Sequence, residues 1–297
     1  MKVIKYAAID VGSNGVRLLI SNIILKNGKA PIFNKSALVR VPIRLGADTF
    51  KKGKISDSSL KRMIKAMKAF KLLMDVHKVE NFRACATSAI REASNSQFIV
   101  DEIEKKSKVK IDIIDGKTEA EIIASTDLYK VIEERNNYLY VDVGGGSTEF
   151  TFFSKGEQVS SKSFKIGSVR SFGSKETYKQ TKKLAKDWIK EEVKKYDKLI
   201  IIGSGGNINK IFKLSGTKIG KPLTRCYLQQ EFKALKKLTY EERIREIGLN
   251  PDRADVIVPA LKIYLATMKW SKSDSIIVPQ IGLADGIVKT LFAKDNS

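Results

Sequence analysis

Two related stretches, YAAIDVG at residues 6–12 and YLYVDVG at residues 138–144, set the architecture of this chain. Each is an apolar segment that ends in an aspartate followed by a glycine, and the second lies 132 residues after the first. Both copies precede two further strand patterns and then helical ones, and a shared order of elements at a fixed offset indicates an internal duplication. The sequence therefore predicts two α/β domains, residues 1–125 and 126–297.

Hydrophobic periodicity and turn residues define the elements around each copy. The first copy predicts three strands over residues 3–42, a helix over Asp57–His77 capped by Ser56 or Asp57, a strand at Phe82–Ala86, a helix from about Ala89, a strand at Val109–Ile114 and a helix from about Thr118. The second predicts strands at Tyr138–Val143, Glu149–Phe153 and Gln158–Phe164, an amphipathic helix at Tyr178–Tyr196, a strand at 198–203 and further helices. The sequence leaves open whether the terminal helix, 283–293, stays with the second domain or packs on the first.

Composition narrows the class of protein. With 297 residues, of which 42% are hydrophobic, the chain is long and apolar enough for two domains with their own cores. Cys85, Cys226 and His77 are its only cysteines and histidine. They are too few for a disulfide scaffold, a structural zinc site or an iron–sulfur cluster, and they argue against a Cys-His or Ser-His-Asp hydrolase. Lys5 and Asp10 interrupt the N-terminal apolar run, so we expect no signal peptide or membrane span there and predict a cytoplasmic protein.

The chain is strongly basic, with 55 Lys and Arg against 33 Asp and Glu and a formal net charge of +22. The excess is even, because residues 1–125 and 126–297 each carry +11 (24 minus 13 and 31 minus 20). Such an excess favours polyanionic partners, although a lysine-rich surface without a specific partner would have the same composition. No basic stripe interleaved with aromatic residues occurs, so we expect no specific nucleic-acid partner. Because the N-terminal apolar run is interrupted, we expect no membrane partner either.

Two glycine-rich turns follow the repeated strands: Asp10-Val-Gly-Ser-Asn-Gly15 and Asp142-Val-Gly-Gly-Gly-Ser-Thr-Glu149. Glycine lets backbone amides approach phosphate oxygens, and a strand-end aspartate can hold hydrated magnesium. One such turn alone could equally be a hairpin, but the pair is more specific. Neither is a Walker A loop or a dinucleotide fingerprint, because each turn opens into a strand and no Gly-Lys-Ser/Thr follows. A third turn, Gly203-Ser-Gly-Gly-Asn207, enters a helix, where it is either an anion site or a tight connection.

Two charged side chains lie at strand ends that open into helices. Arg91, in the segment ATSAIREASN, can form forked bonds to phosphate, or it can pair on the surface with Glu92 or Asp115. Glu119 opens the helix after DGKT, where an acid also complements the helix dipole. Because it falls between the two repeats, we expect Glu119 at the mouth of an interdomain cleft that faces both phosphate turns. A carboxylate there could orient water for attack on a phosphoryl group.

Several motifs in series carry a family resemblance over nearly the whole chain: AIDVGSNGVRLLI, ATSAIREASN, DGKTEAEI, YVDVGGGSTEF, IIGSGGNINKI, NPDRADVIVPAL and GLADGI. In these motifs and their order the chain resembles the exopolyphosphatase and guanosine pentaphosphate phosphatase family, within the actin-like, ribonuclease H-like ATPase superfamily. The resemblance implies an α/β fold of two actin-like domains around a central cleft. It also implies the short, two-domain form without extra C-terminal helical domains.

The resemblance also assigns roles to residues. It implies that Glu119 is the catalytic base, that Arg91 is a catalytic residue that binds phosphate, and that Glu149 is a catalytic acid around magnesium and phosphate. Candidate Mg²⁺ ligands are Asp10, Asp142 and Glu149. Candidate phosphate-binding residues, taken from the turns and the matching motifs, are Gly12, Ser13, Asn14, Gly144, Gly145, Gly146, Ser147, Thr148, Gly205, Gly206 and Arg253.

Three positions depart from the family pattern. Thr118 stands where the family has the first of two glutamates, and Glu119 keeps the second, which is the catalytic one. Asn207 stands where many members have threonine. Ala284 replaces an arginine in the final motif, which could change how the terminal helix is anchored or how a distal phosphate is held.

The sequence thus predicts a Mg²⁺-dependent phosphohydrolase that removes the terminal phosphate of inorganic polyphosphate by water attack. The alternatives are a guanosine pentaphosphate 5′-phosphohydrolase, or a non-catalytic polyphosphate or alarmone sensor. A sugar kinase or ATPase would instead need a nucleotide site at residues 203–207 and fits the motifs less well. A homodimer is left open.

Overall fold

The computed structural model describes residues 1–126, 132–170 and 175–296. It divides into two compact units, one formed by Met1–Thr126 with Gly282–Ser297 and the other by Asp127–Ile281. The division falls next to the predicted boundary at residue 125. The C-terminal segment, whose place the sequence left open, belongs to the first unit.

A five-stranded mixed sheet forms the centre of the first unit. Its strands are β1 (Lys2–Val11), β2 (Val16–Leu25), β3 (Ile32–Val41), β4 (Asn81–Ala86) and β5 (Ile111–Ile113). The order is β3-β2-β1-β4-β5, with β1, β2 and β3 antiparallel and β4 and β5 parallel to β1. The apolar run of β1 is buried from Tyr6 to Val11, as expected of a central strand covered on both faces.

Five helices follow in the first unit: α1 (Leu45–Lys52), α2 (Asp57–Val76), α3 (Ser88–Arg91), α4 (Ser96–Ser107) and α5 (Gly116–Ala124). Ser56 caps α2 by accepting from the Ser59 N–H, as predicted. The single helix predicted from Ala89 is wrong, because α3 is one turn and α4 starts separately. The chain breaks there since the Ser94 N–H donates to the Gly53 carbonyl, and the Asn95 amide exchanges two hydrogen bonds with the Ile55 backbone.

The second unit repeats this plan. Its strands are β6 (Asn137–Val143), β7 (Thr148–Ser154), β8 (Glu157–Phe164), β9 (Leu199–Ser204), β10 (Leu223–Thr224) and β11 (Ser275–Ile277). The sheet order is β10-β11-β9-β6-β7-β8, so β8, β7, β6, β9 and β11 take the places of β3, β2, β1, β4 and β5. This correspondence confirms the duplication. The two short strands, β10 and β11, have two and three residues, too few for a periodic sequence signal.

The helices of the second unit are α6 (Lys175–Val193), α7 (Gly206–Leu214), α8 (Arg225–Lys237), α9 (Tyr240–Arg245), α10 (Pro251–Ala254) and α11 (Ile257–Trp270). On one face of the sheet, Phe152 of β7 packs edge to face on Trp188 of α6, with ring centroids 5.5 Å apart. On α11, Tyr264 is fully buried and bonds to the ends of β6 and β9.

The last helix, α12 (Leu283–Asp295), returns to the first unit. Gly286 lies directly against the Ile122 carbonyl of α5, where no Cβ would fit. The Phe292 ring packs edge to face on Tyr6 of β1, and the Tyr6 hydroxyl donates to Asp295 at 2.8 Å. The helix therefore completes the core of the first unit beside α5.

Two units of the same mixed-sheet plan confirm the predicted α/β class with two actin-like domains. The central cleft implied by the resemblance remains a prediction. Within the described residues, no helix combines the length and apolar character that crossing a bilayer requires.

Candidate active site

The first glycine turn joins β1 to β2 and is held at both ends. The Gly12 N–H donates to the Gly15 carbonyl at 3.2 Å, which closes the turn. The Ser13 hydroxyl lies 2.9 Å from the Ser88 hydroxyl at the start of α3, and the Ser13 carbonyl accepts from the Gly46 N–H. Gly12, Ser13 and Asn14 therefore belong to an ordered turn rather than to a loose hairpin.

Asp10, at the end of β1, is 5% exposed and paired with Arg17 of β2, with Oδ2 3.0 Å from Nη1. Burial raises the pKa of the Asp10 carboxyl, and the charges of Arg17 and Arg40 oppose that rise. Neither arginine was among the predicted site residues. Arg17 could have been found from the offset of 132, because it corresponds to Glu149 in the second copy.

The structure brings Arg91 and Glu119 together. The Ile114 N–H donates to the Ala86 carbonyl, so the loops after β4 and β5 run side by side. Arg91 Nη1 donates to the Ile114 carbonyl at 2.6 Å and lies 3.9 Å from Glu119 Oε2. Glu119 is 7% exposed. Its position follows from Asp115, which caps α5 by accepting from the Thr118 N–H and thus places Glu119 in the first turn.

Cys85 lies between Asp10 and Asp112 in the register of the first sheet. Burial raises the pKa of its thiol to about 12, and the charges of Asp112, Asp10 and Glu119 add to the rise. A fully buried thiol with a raised pKa is typical of a structural cysteine.

The second glycine turn is held by the segment 166–170. The carbonyls of Gly144, Gly145 and Gly146 accept from, respectively, the N–H of Ser168 at 3.1 Å, the N–H of Val169 at 2.8 Å and Nε of Arg170 at 2.6 Å. In a trans peptide the N–H points opposite to the preceding carbonyl. The amides of Gly145, Gly146 and Ser147 thus face away from this segment, in the arrangement of an anion-binding nest.

Thr148 was predicted to bind phosphate together with the residues before it, but its hydroxyl bonds within the protein. It is completely buried, and its hydroxyl donates to the Ile166 carbonyl at 2.6 Å. The hydroxyl thus anchors the 166–170 segment to β7. Gly167 is required in the same segment, because a Cβ there would collide with the Gly145 backbone.

Asp142 and Glu149 lie directly opposite each other in the register of β6 and β7. Glu149 is 2% exposed and accepts from the Ser163 hydroxyl at 2.8 Å, and the Ser204 hydroxyl lies 3.4 Å from Asp142 Oδ2. Directly opposed residues of antiparallel strands share a face and lie close enough to interact. Two carboxylates thus meet at one point, an arrangement suited to a cation.

The third turn places a helix N-terminus beside Asp142. Gly205 has a φ of +113° and precedes α7, which begins at Gly206. A Cβ at residue 205 would lie 2.9 Å from the Val143 carbonyl oxygen and 3.1 Å from Asp142 Oδ1, so only glycine fits this close approach. The turn that carries Gly205 and Gly206 therefore lies next to Asp142 of the Asp142–Glu149 pair.

The remaining positions that the sequence singled out lie on three helices. Arg253 is on α10, where its N–H donates to the Asn250 carbonyl. Asn207 is in the first turn of α7. Ala284 is 7% exposed in α12, which is part of the first unit.

Within the described ranges, no group of three or more His, Cys, Asp or Glu side chains could hold a metal ion. A cation held by protein groups alone is thus not indicated in these ranges. The Asp142–Glu149 pair fits the alternative in which two carboxylates hold a cation that also keeps water or substrate oxygens, the usual mode for Mg²⁺.

Comparison with known proteins identifies the family. Residues 35–294 match the model of the Ppx/GppA phosphatase family. A bifunctional 3-dehydroquinate synthase/phosphatase of Fusobacterium nucleatum is 29% identical over 92% of this chain, which spans 44% of that relative's length. A putative exopolyphosphatase of Haemophilus influenzae is 25% identical over 95% of the chain and 88% of its own.

A solved structure supports the fold over the full length. The exopolyphosphatase of Cytophaga hutchinsonii is 25% identical over 98% of both chains, with a TM-score of 0.83. The family match spans far more than half of the sequence and confirms the predicted family. This chain belongs to the Ppx/GppA phosphatase family.

Proposed function

We propose that this protein is a phosphohydrolase that removes the terminal phosphate of inorganic polyphosphate by water attack, with Mg²⁺ as cofactor. The observation that carries the proposal is the Arg91–Glu119 pair, a buried carboxylate held 3.9 Å from a guanidinium that is itself tied to the backbone. A carboxylate fixed in this way can orient a water molecule, and the arginine can neutralise charge on a phosphoryl group.

In the proposed reaction, Glu119 accepts a proton from water as the water oxygen bonds to the terminal phosphorus. The phosphoanhydride bond breaks, inorganic phosphate leaves, and the bridging oxygen stays on the shortened chain. The Arg91 guanidinium binds the oxygens of this phosphoryl group. Within the second unit, the amides of Gly145, Gly146 and Ser147 are a separate anion site. Catalysis then consists mainly of positioning and charge neutralisation, as is usual for phosphoryl transfer.

The same proposal assigns Mg²⁺ to Asp142 and Glu149. Mg²⁺ would supply positive charge that screens the substrate phosphates. Asp10 fits this role less well, because its Oδ2 already lies 3.0 Å from Arg17. The two copies of the repeat thus differ in charge at equivalent positions. Arg17 lies opposite Asp10 in the first copy, and Glu149 lies opposite Asp142 in the second.

Polyphosphate is the proposed substrate because the relatives named above include exopolyphosphatases and because a net charge of +22 suits a long polyanion. Guanosine pentaphosphate is the alternative substrate, since the sequence motifs resemble a family that includes guanosine pentaphosphate phosphatases. A sensor that binds without hydrolysis is the non-catalytic alternative.

The test is phosphate release from tripolyphosphate, long-chain polyphosphate and guanosine pentaphosphate, measured side by side with Mg²⁺. Glu119→Gln should lower turnover at least about 100-fold, because it removes the proton acceptor and keeps the side-chain shape. Glu121→Gln is the matched control, since Glu121 is on the same helix but exposed and paired with Lys117. It should retain activity within about twofold.

Each outcome separates the alternatives. Release that is lost in Glu119→Gln and on chelation of Mg²⁺ supports the proposal, and the three rates rank the substrates. Equal activity in the two glutamine variants would overturn the role of Glu119. Tight binding without release from any substrate would replace the hydrolase with the sensor.

A further inference from the structure

We propose that Arg40, on β3, is a substrate-phosphate-binding residue at the first glycine turn. The proposal rests on the proposed function and adds a residue to the same site. Arg40 lies outside every motif that identified the family, and no local sequence signal distinguishes it from the other basic residues of the chain.

The register of the first sheet places Arg40 at the site. Asp10 of β1 is opposite Arg17 of β2, and Arg17 is opposite Arg40 of β3. Residues directly opposite in antiparallel strands project from the same face. Asp10, Arg17 and Arg40 therefore form one row, which we call the first row, beside the predicted phosphate turn.

The equivalent row of the second unit has the opposite charge. It consists of Asp142, Glu149 and Ser163 on β6, β7 and β8. Its side chains sum to −2, which suits a cation, whereas one aspartate and two arginines give the first row +1. The carboxylate of the first row is in contact with Arg17, so the positive charge added by Arg40 gives this row its preference for an anion.

Gly15 shows how close the Arg40 guanidinium lies to the turn. A Cβ added to Gly15 would be 2.9 Å from Nη2, 3.0 Å from Cζ and 3.1 Å from Nε of Arg40. The guanidinium thus lies against the backbone of the turn that carries Gly12, Ser13 and Asn14. Its charge also acts on Asp10. Burial raises the pKa of the Asp10 carboxyl, and the charge of Arg40 opposes part of that rise.

A guanidinium in this position can add two parallel hydrogen bonds to phosphate oxygens, which the turn amides alone do not supply. A terminal phosphate carries the highest charge of a polyphosphate chain and would benefit most. The proposed role of Arg40 is therefore to bind substrate, whereas that of Glu119 is to accept a proton from water.

The test compares Arg40→Ala and Arg40→Lys with the wild type for tripolyphosphate binding by calorimetry and for KM and kcat of phosphate release. Arg40→Ala should weaken binding and raise KM about 10- to 100-fold. Arg40→Lys keeps the charge but loses the fork and should recover part of the loss. Arg135→Ala is the control for charge, since Arg135 is exposed and pairs with Glu133, and it should change binding less than about twofold.

Gly15→Ala gives an independent test without a change of charge. The new methyl group would displace the flexible end of Arg40 and should weaken binding about 3- to 10-fold. In the Arg40→Ala background the same substitution should have no further effect. Additive losses in the double variant would show that Gly15 acts on the substrate by another route and would count against the proposal.

The outcomes distinguish the two proposals. If Arg40→Ala and Arg135→Ala behave alike while the wild type releases phosphate, Arg40 has no binding role and the proposed function stands. If the wild type binds tripolyphosphate without release, the hydrolase fails, and the binding data alone decide the role of Arg40. If the wild type neither binds nor releases, both proposals are overturned.

Discussion

Asp10 and Asp142 occupy equivalent positions in the two copies, yet their immediate neighbours carry opposite charges. Arg17 contacts Asp10, and Glu149 lies opposite Asp142. One residue at a single register position therefore changes what the end of each sheet can bind. Under the proposed function, the Asp10–Arg17–Arg40 row binds phosphate and the Asp142–Glu149 pair holds Mg²⁺.

Tyr264 is the residue that ties the second and third turns together. Its hydroxyl donates to the Ser204 carbonyl and accepts from the Val143 N–H at 3.3 Å. Burial, followed by the charge of Asp142, raises its pKa well above the ordinary value, so the hydroxyl stays neutral. The ends of β6 and β9 are thus held by one side chain from α11.

Tyr264→Phe should lower the free energy of unfolding of the second unit by about 1–3 kcal/mol, because two buried backbone groups lose their partner. Tyr240→Phe is the matched control, since the Tyr240 hydroxyl bonds to the Pro251 carbonyl on a residue that is 38% exposed. Urea unfolding of both variants checks the difference. Equal losses in the two would contradict a special role for Tyr264.

At the scale of elements, loop-to-helix junctions position the charged groups of the first unit. Asp115 caps α5 and places Glu119, and Asp48 of α1 holds the start of α2. The Asp48 carboxylate accepts from the Ser56 N–H and from the hydroxyls of Ser56 and Ser59. Two helices are therefore joined through one carboxylate.

The Asp48 junction predicts a pH dependence. Burial acts to raise the pKa of Asp48, but the bonds from Ser56 and Ser59 outweigh it and lower the pKa. A carboxyl whose pKa is lower in the folded state adds stability above its unfolded pKa, near 4, and loses it as the pH falls through the folded value. Asp48→Asn should cost about 1–2 kcal/mol at pH 7.

The cost of Asp48→Asn relative to wild type should shrink as the pH falls below about 4. Urea unfolding over a pH series measures it. Asp57→Asn, on the exposed first turn of α2, controls for the loss of one negative charge. A difference that stays constant between pH 7 and pH 3 would rule out the ionised Asp48 as its cause.

At the scale of the whole molecule, the chain leaves the first unit after Thr126 and returns to it at Gly282. The returning helix, α12, packs on α5, which carries Glu119, through the contact of Gly286 with the Ile122 carbonyl. The last residues of the chain thereby support a helix that begins near the proposed catalytic base.

Gly286→Ala should separate α12 from α5, because the new methyl group meets backbone rather than a side chain that can move. We expect a loss of about 1–3 kcal/mol in stability and a lower kcat, since Glu119 would shift with α5. Ala293→Ser, on the exposed part of α12, adds one heavy atom as a control and should change neither. Calorimetric unfolding and phosphate release measure both effects, and full activity in Gly286→Ala would contradict this coupling.

The sequence by itself determined the features that depend on neighbours in the chain. The repeated strand, aspartate and glycine turn predicted both sheets and their phosphate turns, because alternation and turn chemistry are local. The motifs predicted the family, and they assigned Arg91 and Glu119 to the catalytic residues. The helix from Ala89 was wrong, since contacts with residues 53–55 interrupt it.

Only the tertiary structure decided which distant side chains meet. Arg40 faces the first turn through strand pairing, the 166–170 segment orients the amides of the second turn, and α12 supports α5. None of these carries a local sequence signal, because each arises from residues that are far apart in the chain and meet only when it folds. The residue types of the site follow from the sequence, and their charge balance follows from the register of the strands.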